Sequence, residues 1–370
     1  MVRFDFEIEE VQEGKASILV PKAVRGKGPG RIEGIPFYNP VMETSRDISV
    51  LLVQKCIPRE GYEILDGLAG TGIRGIRLAL EVEGKLSITL NDWNEPSFEL
   101  MRENIKRNDV QNAQARQEDL RRILSNEMFD YVDVDPYGTP APFLKDALRG
   151  VRENGILAIT ATDTATLAGN YPNACLRRYR AKSLRGKGRH EIGLRILIGY
   201  CARLAAESQI GVRPLLSHST DHYYRTYLRI ERGQQSAVSC VSKVGYYSKN
   251  LLTQEIALSS TKKESSEVAG PLWIGNLWDS QLIQDIRPRS YMSHRTSKVV
   301  EMMRSESGIG SPFYSSDELA SRLRVHTPPL SKILESLQSS GYAASRTHFD
   351  TKGFRTEAPI DRILELFKKT

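Results

Sequence analysis

Three groups of residues in this chain combine types and spacings that can do chemistry. The first is Gly-Thr-Gly-Ile-Arg-Gly at residues 70–75, a G-x-G-x-x-G pattern between a predicted strand and a predicted helix. Gly70 and Gly72 allow a ligand close to the backbone, and the start of the helix presents free N–H groups. In this position the pattern predicts a nucleoside cofactor site, which takes in Asp66 at the end of the preceding strand. The alternative is an ordinary tight turn between strand and helix.

Two further acids follow later strands. Asp92 stands 17 residues past Gly75 and ends the next predicted strand, where a carboxylate can accept hydrogen bonds from both hydroxyls of a ribose. Asp119 follows the third predicted strand, where it could accept from an adenine amino group. Each has a simpler alternative, a turn or capping role for Asp92 and a helix N-cap for Asp119. NAD and S-adenosylmethionine both fit these features.

The third group, Asp135-Pro136-Tyr137-Gly138, ends the fourth predicted strand. Side chains at the carboxyl ends of strands in an open α/β sheet face the ligand crevice. Asp135 and the Pro136 carbonyl can accept hydrogen bonds from the exocyclic amine of a base, and Asp135 can then take its proton. Tyr137 can stack on the ring of the base. The alternative is a proline turn in which Asp135 caps a helix, but a nicotinamide enzyme has no need of this turn.

The glycine loop, the two acids and the Asp-Pro-Tyr-Gly turn can meet only if the strands that precede them alternate with helices. Short strands are predicted at 62–66 and 129–134, and at 86–90, where apolar and polar residues alternate. The unbroken apolar run at 155–159 predicts a strand covered on both faces, and helices fit between these strands. Such alternation predicts an α/β fold with a parallel, doubly wound sheet. Residues 1–60 are predicted to form short strands and turns around several glycines.

The alternation stops near residue 235, and residues 237–244 are strand-like. Closer to the C-terminus, a helix is predicted at 316–323 and a second helix over the apolar residues 330–337. Two strands around a turn at 350–353 complete the outline of a winged helix.

Length and composition exclude several classes of protein. The 370 residues suggest two domains, and 40% hydrophobic with 26% charged residues is a globular composition. No apolar run reaches the roughly 18 residues of a membrane-spanning helix, and the N-terminus lacks the apolar core of a signal peptide. The four cysteines have no C-x-x-C spacing, which excludes a disulfide scaffold and a local cysteine–zinc site. A reduced, cytoplasmic setting is expected.

Positive charge is concentrated in one segment. Residues 176–195 carry eight Lys or Arg side chains and one Glu, a net charge of +7 that equals that of the whole chain. A second stretch at 22–31 adds four basic residues and no acid. Such segments predict a polyanion partner because neutralised phosphates release counterions, and the alternative is a solvated loop. The side chains of the first segment that could contact the phosphates of such a partner are Arg177, Arg178, Arg180, Lys182, Arg185, Lys187 and Arg189.

Together with further short motifs, these groups closely resemble the tRNA (guanine26-N2)-dimethyltransferase family over nearly the whole chain. The pairing of T-G-I-R-G-I-R with a D-P-[FY]-G turn is especially specific. The motifs are, in order, Glu13-Gly14-Lys15-Ala16, Phe37-Tyr38-Asn39-Pro40, Ser45-Arg46-Asp47, Thr71 to Arg77, Asp135 to Gly138, Thr160-Ala161-Thr162-Asp163, Ala174 to Arg177, Asp221 to Arg225 and Thr347-His348-Phe349.

The resemblance implies a class I, Rossmann-like S-adenosylmethionine methyltransferase domain and a smaller α+β C-terminal domain, winged-helix-like near its end. The family transfers one or two methyl groups to N2 of guanine 26 in tRNA. The resemblance makes Asp135 the catalytic carboxylate, beside Pro136, with Phe37 and Tyr137 as aromatic walls around the reacting group. The cofactor contacts that it implies come from Arg46, Arg74, Asp92 and Asp119 and from the backbone at Leu120.

Three positions depart from the family pattern. Ser45 replaces Asn, Gly70 replaces Ala or Ser, and Tyr137 replaces the more frequent Phe. Some members bind zinc through four cysteines in the C-terminal domain, but only Cys240 lies in that part of this chain, so no metal is predicted.

The predicted domains are an N-terminal extension at 1–60 that packs on the catalytic domain, the catalytic domain at 61–234 and a tRNA-orienting domain at 235–370. The expected partner is tRNA, and neither a membrane nor an obligate protein partner is inferred. An RNA-binding protein with an inactive methyltransferase fold is the alternative function, and a nicotinamide-dependent oxidoreductase is less favoured. The sequence leaves open the role of Asp163.

Overall fold

The computed structural model describes residues 4–22, 34–57, 61–263 and 266–368. The second basic stretch therefore falls outside the described residues, except for Lys22. None of the helices within these ranges is long and apolar enough to cross a membrane.

Two compact units are present in the chain. One runs up to Ala161 and includes Ile286–Lys298, and the other contains Thr162–Asp285 and the chain from Val299 onward. These limits do not coincide with residues 60 and 234, and the division into three functional parts stays a prediction.

The first unit begins with a hairpin and a helix. Strands β1 (Ile8–Glu13) and β2 (Ala16–Pro21) pair antiparallel, and α1 (Glu43–Cys56) follows. The prediction of only short strands and turns over residues 1–60 is therefore wrong at α1. Residues 44–53 of this helix are all buried, so no exposed face alternates with a buried one and the helical period of apolar residues is missing.

Five parallel strands form the centre of this unit, with helices between them. The strands are β3 (Tyr62–Asp66), β4 (Leu86–Asn91), β5 (Ala113–Arg116), β6 (Phe129–Val134) and β7 (Val151–Ala161). The helices are α2 (Ile73–Glu81), α3 (Glu95–Arg107), α4 (Leu120–Asn126) and α5 (Leu144–Arg149). The strand order is β5-β4-β3-β6-β7, so the order reverses between β3 and β6. Ligands of open α/β sheets bind at the carboxyl ends of the strands beside such a reversal.

The strands predicted in this unit are confirmed. The runs at 62–66 and 129–134 are β3 and β6, and those at 86–90 and 155–159 lie within β4 and β7. Residues 155–161 of β7 are all buried, as the unbroken apolar run at 155–159 predicts for a strand covered on both faces.

A buried network of charges joins the hairpin, α1 and α2. Arg77 on α2 contacts Glu13 at 2.9 Å, Asp47 at 2.5 Å and Glu81 at 2.8 Å, and all four side chains are buried. Thr296 donates a hydrogen bond to Asp47 at 2.5 Å, which attaches the segment that includes it to this unit. Because buried charges persist only when they are paired, these polar residues behave as part of the core.

The second unit contains shorter sheets surrounded by helices. The strands are β8 (Ile210–Thr220), β9 (Tyr223–Arg232), β10 (Val244–Asn250), β11 (Ile256–Ser259), β12 (Ser266–Trp273), β13 (Tyr314–Ser315), β14 (Ala344–Thr347) and β15 (Asp350–Thr356). The helices from residue 164 onward are α6 (Thr164–Leu167), α7 (Pro172–Tyr179), α8 (Arg189–Ala206), α9 (Gln234–Val241), α10 (Ser280–Asp285), α11 (His294–Glu306), α12 (Ser316–Leu323), α13 (Leu330–Ser339) and α14 (Ile360–Lys368). Strands β8 and β9 pair antiparallel, and two three-stranded sheets have the orders β11-β10-β12 and β13-β15-β14.

The strand predicted at 237–244 is wrong, because most of it belongs to helix α9. Ala237 and Cys240 are buried, whereas Val238 and Val241 are exposed. The buried positions are three residues apart, which is a helical spacing. The apolar run resembles a strand only because two valines point to solvent.

The helix–helix–hairpin order near the C-terminus is confirmed by α12, α13 and the pair β14–β15. The turn is not at 350–353, however, but at His348 and Phe349. A Cβ at Gly353 would lie 2.5 Å from Thr347 Cγ2, so this glycine makes room for packing within the sheet. The hairpin turns earlier because Glu306 accepts the backbone N–H of His348 at 2.9 Å.

Candidate active site

The glycine loop lies between β3 and α2, at the carboxyl end of the sheet. Gly70 and Gly72 have φ of +57° and +81°, which is the left-handed region that favours glycine. A Cβ at Gly70 would lie 2.9 Å from the carbonyl oxygen of Phe37, and one at Gly75 would lie 1.9 Å from Leu90 Cδ2. The first glycine therefore lets the segment at Phe37 approach the loop, and the last lets α2 pack on β4.

Asp92 lies directly after β4 and is oriented by two backbone donors. The N–H of Gly70 donates to its Oδ2 at 3.0 Å, and the N–H of Asn94 donates to its Oδ1 at 3.0 Å. The carboxylate is thus fixed at the edge of the glycine loop. The contact with ribose hydroxyls predicted for Asp92 requires such a placement, and it stays a prediction.

Asp119 forms the N-cap of α4. Its Oδ1 accepts the N–H of Arg121 at 2.9 Å, and the Arg121 guanidinium contacts Oδ2 at 2.6 Å. The hydrogen bond from the Arg121 side chain lowers the pKa of Asp119 below its usual value. The helix-capping role given as the alternative for Asp119 is therefore confirmed, and its adenine contact stays a prediction. Leu120 is buried, and a Cβ at Gly67 would lie 2.7 Å from its Cδ1, so the start of α4 adjoins the end of β3.

Arg46 on α1 is held by an acid of the N-terminal hairpin. Its Nε and Nη2 donate to the two carboxylate oxygens of Glu13 at 2.6 and 2.5 Å, and Nη2 also donates to the Asn39 carbonyl at 3.1 Å. Burial would raise the pKa of Glu13, but Arg46 and Arg77 lower it below its usual value. Within the described ranges no hydrogen bond from Nη1 of Arg46 is found. The cofactor contact implied for Arg46 stays a prediction.

Asp135 lies just past the end of β6 and is held by Arg74. Nη2 of Arg74 contacts Asp135 Oδ2, while Nη1 donates to Ser49 Oγ at 2.8 Å and Nε lies 3.5 Å from Asp133 Oδ2. The guanidinium is therefore directed at protein groups on α1 and β6, and its implied cofactor contact stays a prediction. Helix α5 has Phe143 as its N-cap, so Asp135 does not cap that helix.

Two further acids, Asp66 and Asp133, are buried beside the ion pair of Arg74 and Asp135. Tyr131 donates to Asp133 Oδ2 at 2.8 Å, and the N–H of Gly75 donates to Asp66 Oδ2 at 3.2 Å. Burial, followed by the charge of Asp133, raises the pKa of Asp66 to about 7, and Arg74 opposes this rise. Two carboxylates thus contact one guanidinium at the reversal of strand order, with the carboxyl group of Asp66 nearby, so acids outnumber the cation at the site.

Asp133 and Ser49 are the residues that sequence reasoning missed. Asp133 is a fully buried acid within β6, two residues before Asp135, and a buried acid signals a partner or a function. Ser49 gives no comparable signal, because its partner Arg74 is 25 residues away in sequence.

Two aromatic rings stand beside the D-P-Y-G turn. The ring centroids of Phe37 and Tyr137 are 6.0 Å apart at an interplanar angle of 74°, an edge-to-face arrangement. Phe37 is 38% exposed and Tyr137 57% exposed, whereas Pro136 is buried. The two predicted aromatic walls therefore lie together and present ring surface to solvent.

The predicted RNA contacts lie in the second unit and differ in their surroundings. Arg178 pairs with Asp163 at 3.0 Å, and Arg195 of the same segment is buried against Glu191 at 2.8 Å. Arg185 donates to the Gly169 carbonyl at 3.2 Å. The side chains that are exposed are Arg177, Arg180, Lys182, Arg185, Lys187 and Arg189. The charge of the segment is therefore partly structural and partly surface charge.

In the part of the chain that the structure describes, no group of three or more His, Cys, Asp or Glu residues could hold a metal ion. The four cysteines are free thiols.

Comparisons with known proteins give one consistent result. The family model described as N2,N2-dimethylguanosine tRNA methyltransferase matches residues 14–368. A tRNA (guanine(26)-N(2))-dimethyltransferase of Methanocaldococcus jannaschii is 37% identical, over 89% of this chain and 91% of that protein. One of Thermococcus kodakarensis is 36% identical, over 98% of this chain and 99% of that protein. The structure of Trm1 from Pyrococcus horikoshii with S-adenosyl-L-methionine superposes with a TM-score of 0.86 at 34% identity, covering 97% of this chain and 99% of that one.

Proposed function

The chain belongs to the N2,N2-dimethylguanosine tRNA methyltransferase family, and we propose that it methylates the exocyclic N2 of guanine 26 in tRNA with S-adenosylmethionine. The observation that carries this proposal is the position of Asp135, Pro136 and Tyr137 just past the end of β6. There Arg74 from the helix after the glycine loop holds Asp135. One site thus combines a nucleoside-binding loop with acceptors for an amine.

The residues at the reversal of strand order suit S-adenosylmethionine better than a nicotinamide cofactor. Asp92 would accept hydrogen bonds from the ribose hydroxyls, and Asp119 with the start of α4 would border the adenine. Arg46 would contact the carboxylate of the methionine part. Asp66, Asp133 and Asp135 with one guanidinium leave net negative charge, which favours a sulfonium cation and opposes the pyrophosphate of NAD.

The reacting groups of the protein act on the guanine amine. When bound, S-adenosylmethionine supplies a methyl group whose bond to sulfur breaks as the N2 lone pair attacks it, and the bonding pair stays on sulfur. Asp135 and the Pro136 carbonyl accept hydrogen bonds from N2, which localises its lone pair, and Asp135 then takes the proton that the methylated nitrogen releases. Phe37 and Tyr137 contact the base ring. After one transfer N2 keeps one hydrogen, so the same residues can act a second time.

Arg74 is proposed as a positioning residue in this reaction. It does not need to touch the guanine, because its contacts with Asp135, Asp133 and Ser49 fix the direction of the Asp135 carboxylate. A carboxylate held in this way presents its acceptor oxygen without a reorganisation cost at the moment of transfer.

The second unit is proposed to bind the tRNA substrate, and the protein is proposed to act in the cytoplasm. The cations Arg177, Arg178, Arg180, Lys182, Arg185, Lys187 and Arg189 are proposed to contact tRNA phosphates, least so Arg178 because of its pairing with Asp163. The C-terminal residues 235–370 are proposed to orient the tRNA. Four free thiols and a tRNA substrate support a reducing, cytoplasmic location.

The test is Asp135→Asn, assayed on a tRNA transcript with guanine at position 26. We expect the rate of methyl transfer to fall by about 10²–10⁴, since Asn keeps the shape of Asp but cannot take the proton. S-adenosylmethionine affinity by calorimetry should stay within a few-fold. Asp361→Asn on α14 is a matched control, and a transcript with adenine 26 should accept no methyl group. Retention of more than a tenth of the wild-type rate by Asp135→Asn would exclude the assigned role.

A further inference from the structure

Helix α7 in the second unit is fixed in rotation by its buried face. Cys175 and Tyr179 are fully buried, the Tyr179 hydroxyl donates to Asp163 at 2.7 Å, and Arg178 contacts the same carboxylate at 3.0 Å. Arg203 also donates to the Tyr179 carbonyl at 2.8 Å. These contacts determine which residues of α7 face solvent.

The opposite face presents apolar and basic side chains together. Leu176 is 60% exposed, and Arg177 and Arg180 beside it are exposed as well. Arg180 ends the helix with φ of +50°, a left-handed conformation in which glycine is the usual residue.

The loop after α7 returns to the start of the helix. Arg185 donates to the carbonyl of Gly169 at 3.2 Å, and a Cβ at Gly169 would lie 2.7 Å from the Leu184 carbonyl carbon. This brings Arg185 close to the residues that precede Tyr171, whose side chain is 62% exposed. Residues 164–190 contain no Asp or Glu, and the flanking acids Asp163 and Glu191 pair with Arg178 and Arg195.

We propose that the α7 surface, formed by Tyr171, Leu176, Arg177, Arg180 and Arg185, binds RNA by two kinds of contact. The three arginines bind phosphates, and Tyr171 and Leu176 bind the faces of unstacked bases or riboses. The inference rests on the proposed function, which makes tRNA the substrate. An enzyme that acts on a base inside a folded RNA must unstack nucleotides, and exposed aromatic rings bind such bases without sequence preference.

RNA fits this surface better than a protein or a membrane does. The centres of protein interfaces are depleted of charged residues as a class, although arginine is enriched there. Residues 164–190 carry seven Lys or Arg side chains and no acid, an excess of one sign that suits the phosphates of RNA. A helix of eight residues with one exposed leucine offers too little apolar area to bind a lipid surface. Alternating cations and flat or aliphatic groups are the pattern of single-strand binding grooves.

The two kinds of contact can be separated by the salt dependence of tRNA binding, measured by fluorescence anisotropy. Tyr171→Ala with Leu176→Ala should weaken binding by a factor of about 5 to 100, with an unchanged slope of log K against log salt. Arg177→Gln with Arg180→Gln should lower that slope by roughly 1.4–1.8 if both side chains contact phosphate. Tyr171→Phe keeps the ring and should bind nearly as wild type does.

Val238→Ala is the matched control, because Val238 on α9 is 64% exposed, about as much as Leu176, and belongs to the same unit. It should leave tRNA affinity unchanged. Affinity within twofold of wild type for the Tyr171/Leu176 double variant, or an unchanged slope for the arginine pair, overturns the proposal. Failure of the proposed function gives a different result, namely a wild-type protein that does not methylate guanine 26.

Discussion

Replacing Arg74 with Gln removes the guanidinium that holds the proposed catalytic carboxylate. Asp135 loses its charged contact, Asp133 loses a cation at 3.5 Å, and Ser49 loses a donor at 2.8 Å. We expect a less stable protein and a slower methyl transfer.

The loss of stability can be estimated from the contacts. Opposite charges about 4 Å apart interact by about 4 kcal/mol at an effective dielectric constant of about 20. Arg74 is buried, so its desolvation offsets part of its attraction to two carboxylates. Removal of one partner of a buried ion pair typically costs about 3–5 kcal/mol. At roughly 2–4 °C per kcal/mol for a domain of this size, we expect Tm to fall by about 10 °C.

The size of this loss should depend on pH. The folded protein raises the pKa of Asp66 to about 7, so the contribution of this group to stability is present in acid and is lost as pH rises through that value. Arg74 opposes the rise, so in the variant the pKa of Asp66 is higher still. Above about pH 7 the folded variant then keeps a proton that the wild type has released, and its stability falls more steeply with pH. The difference in Tm should therefore widen between about pH 6 and about pH 8.

Thermal unfolding across this pH range and steady-state methylation measure the two effects. We expect kcat to fall by roughly 10²–10⁴ through the misplaced Asp135. Arg74→Lys should retain only part of the wild-type kcat, because an ammonium cannot contact three groups in the geometry of a guanidinium. Arg102→Gln on α3, where the side chain is exposed, is the control. A kcat within tenfold of wild type, together with a Tm difference that does not change with pH, would refute this account of Arg74.

Two further predictions concern the glycine loop and its neighbours. Asp92→Asn should weaken S-adenosylmethionine binding by about 1.5–3 kcal/mol for each charged hydrogen bond lost, and calorimetry showing unchanged affinity would mean that the ribose is held elsewhere. Gly75→Ala should destabilise the first unit by about 1–3 kcal/mol in denaturant unfolding, because its Cβ would lie 1.9 Å from Leu90 Cδ2. Gly308→Ala, where an added Cβ meets nothing within 4 Å, is the control for this second change, and equal effects of the two would contradict the packing argument.

The sheet and the reacting turn could be predicted because their signals are local. A strand covered on both faces is a short apolar run, and β3 and β6 match their predicted bounds. The glycine loop and the D-P-Y-G turn follow these strands directly in sequence. Their meeting at one edge then follows from the strand order of a doubly wound sheet.

The parts that could not be predicted depend on contacts between distant residues. Helix α1 is polar at several buried positions, and its partners on β1, α2 and α11 make this possible. The direction of Arg74 depends on Ser49 and Asp135, which are 25 and 61 residues away. The sequence of α9 resembles a strand because two of its valines are exposed, so its apolar residues do not follow the helical spacing of its buried positions.

The buried charges around α1 are better understood as orienting devices than as sources of stability. Replacing a complete buried ion network with apolar residues is often neutral or stabilising, whereas removing one member leaves an unpaired charge. The network also requires glycine at position 14, since a Cβ there would lie 2.2 Å from Glu81 Oε1. What it achieves is a fixed direction for Arg46, whose Nε and Nη2 are both bound to Glu13. A guanidinium held on one edge by the fold presents its other edge in a constant position, as the contact proposed between Arg46 and the methionine carboxylate requires.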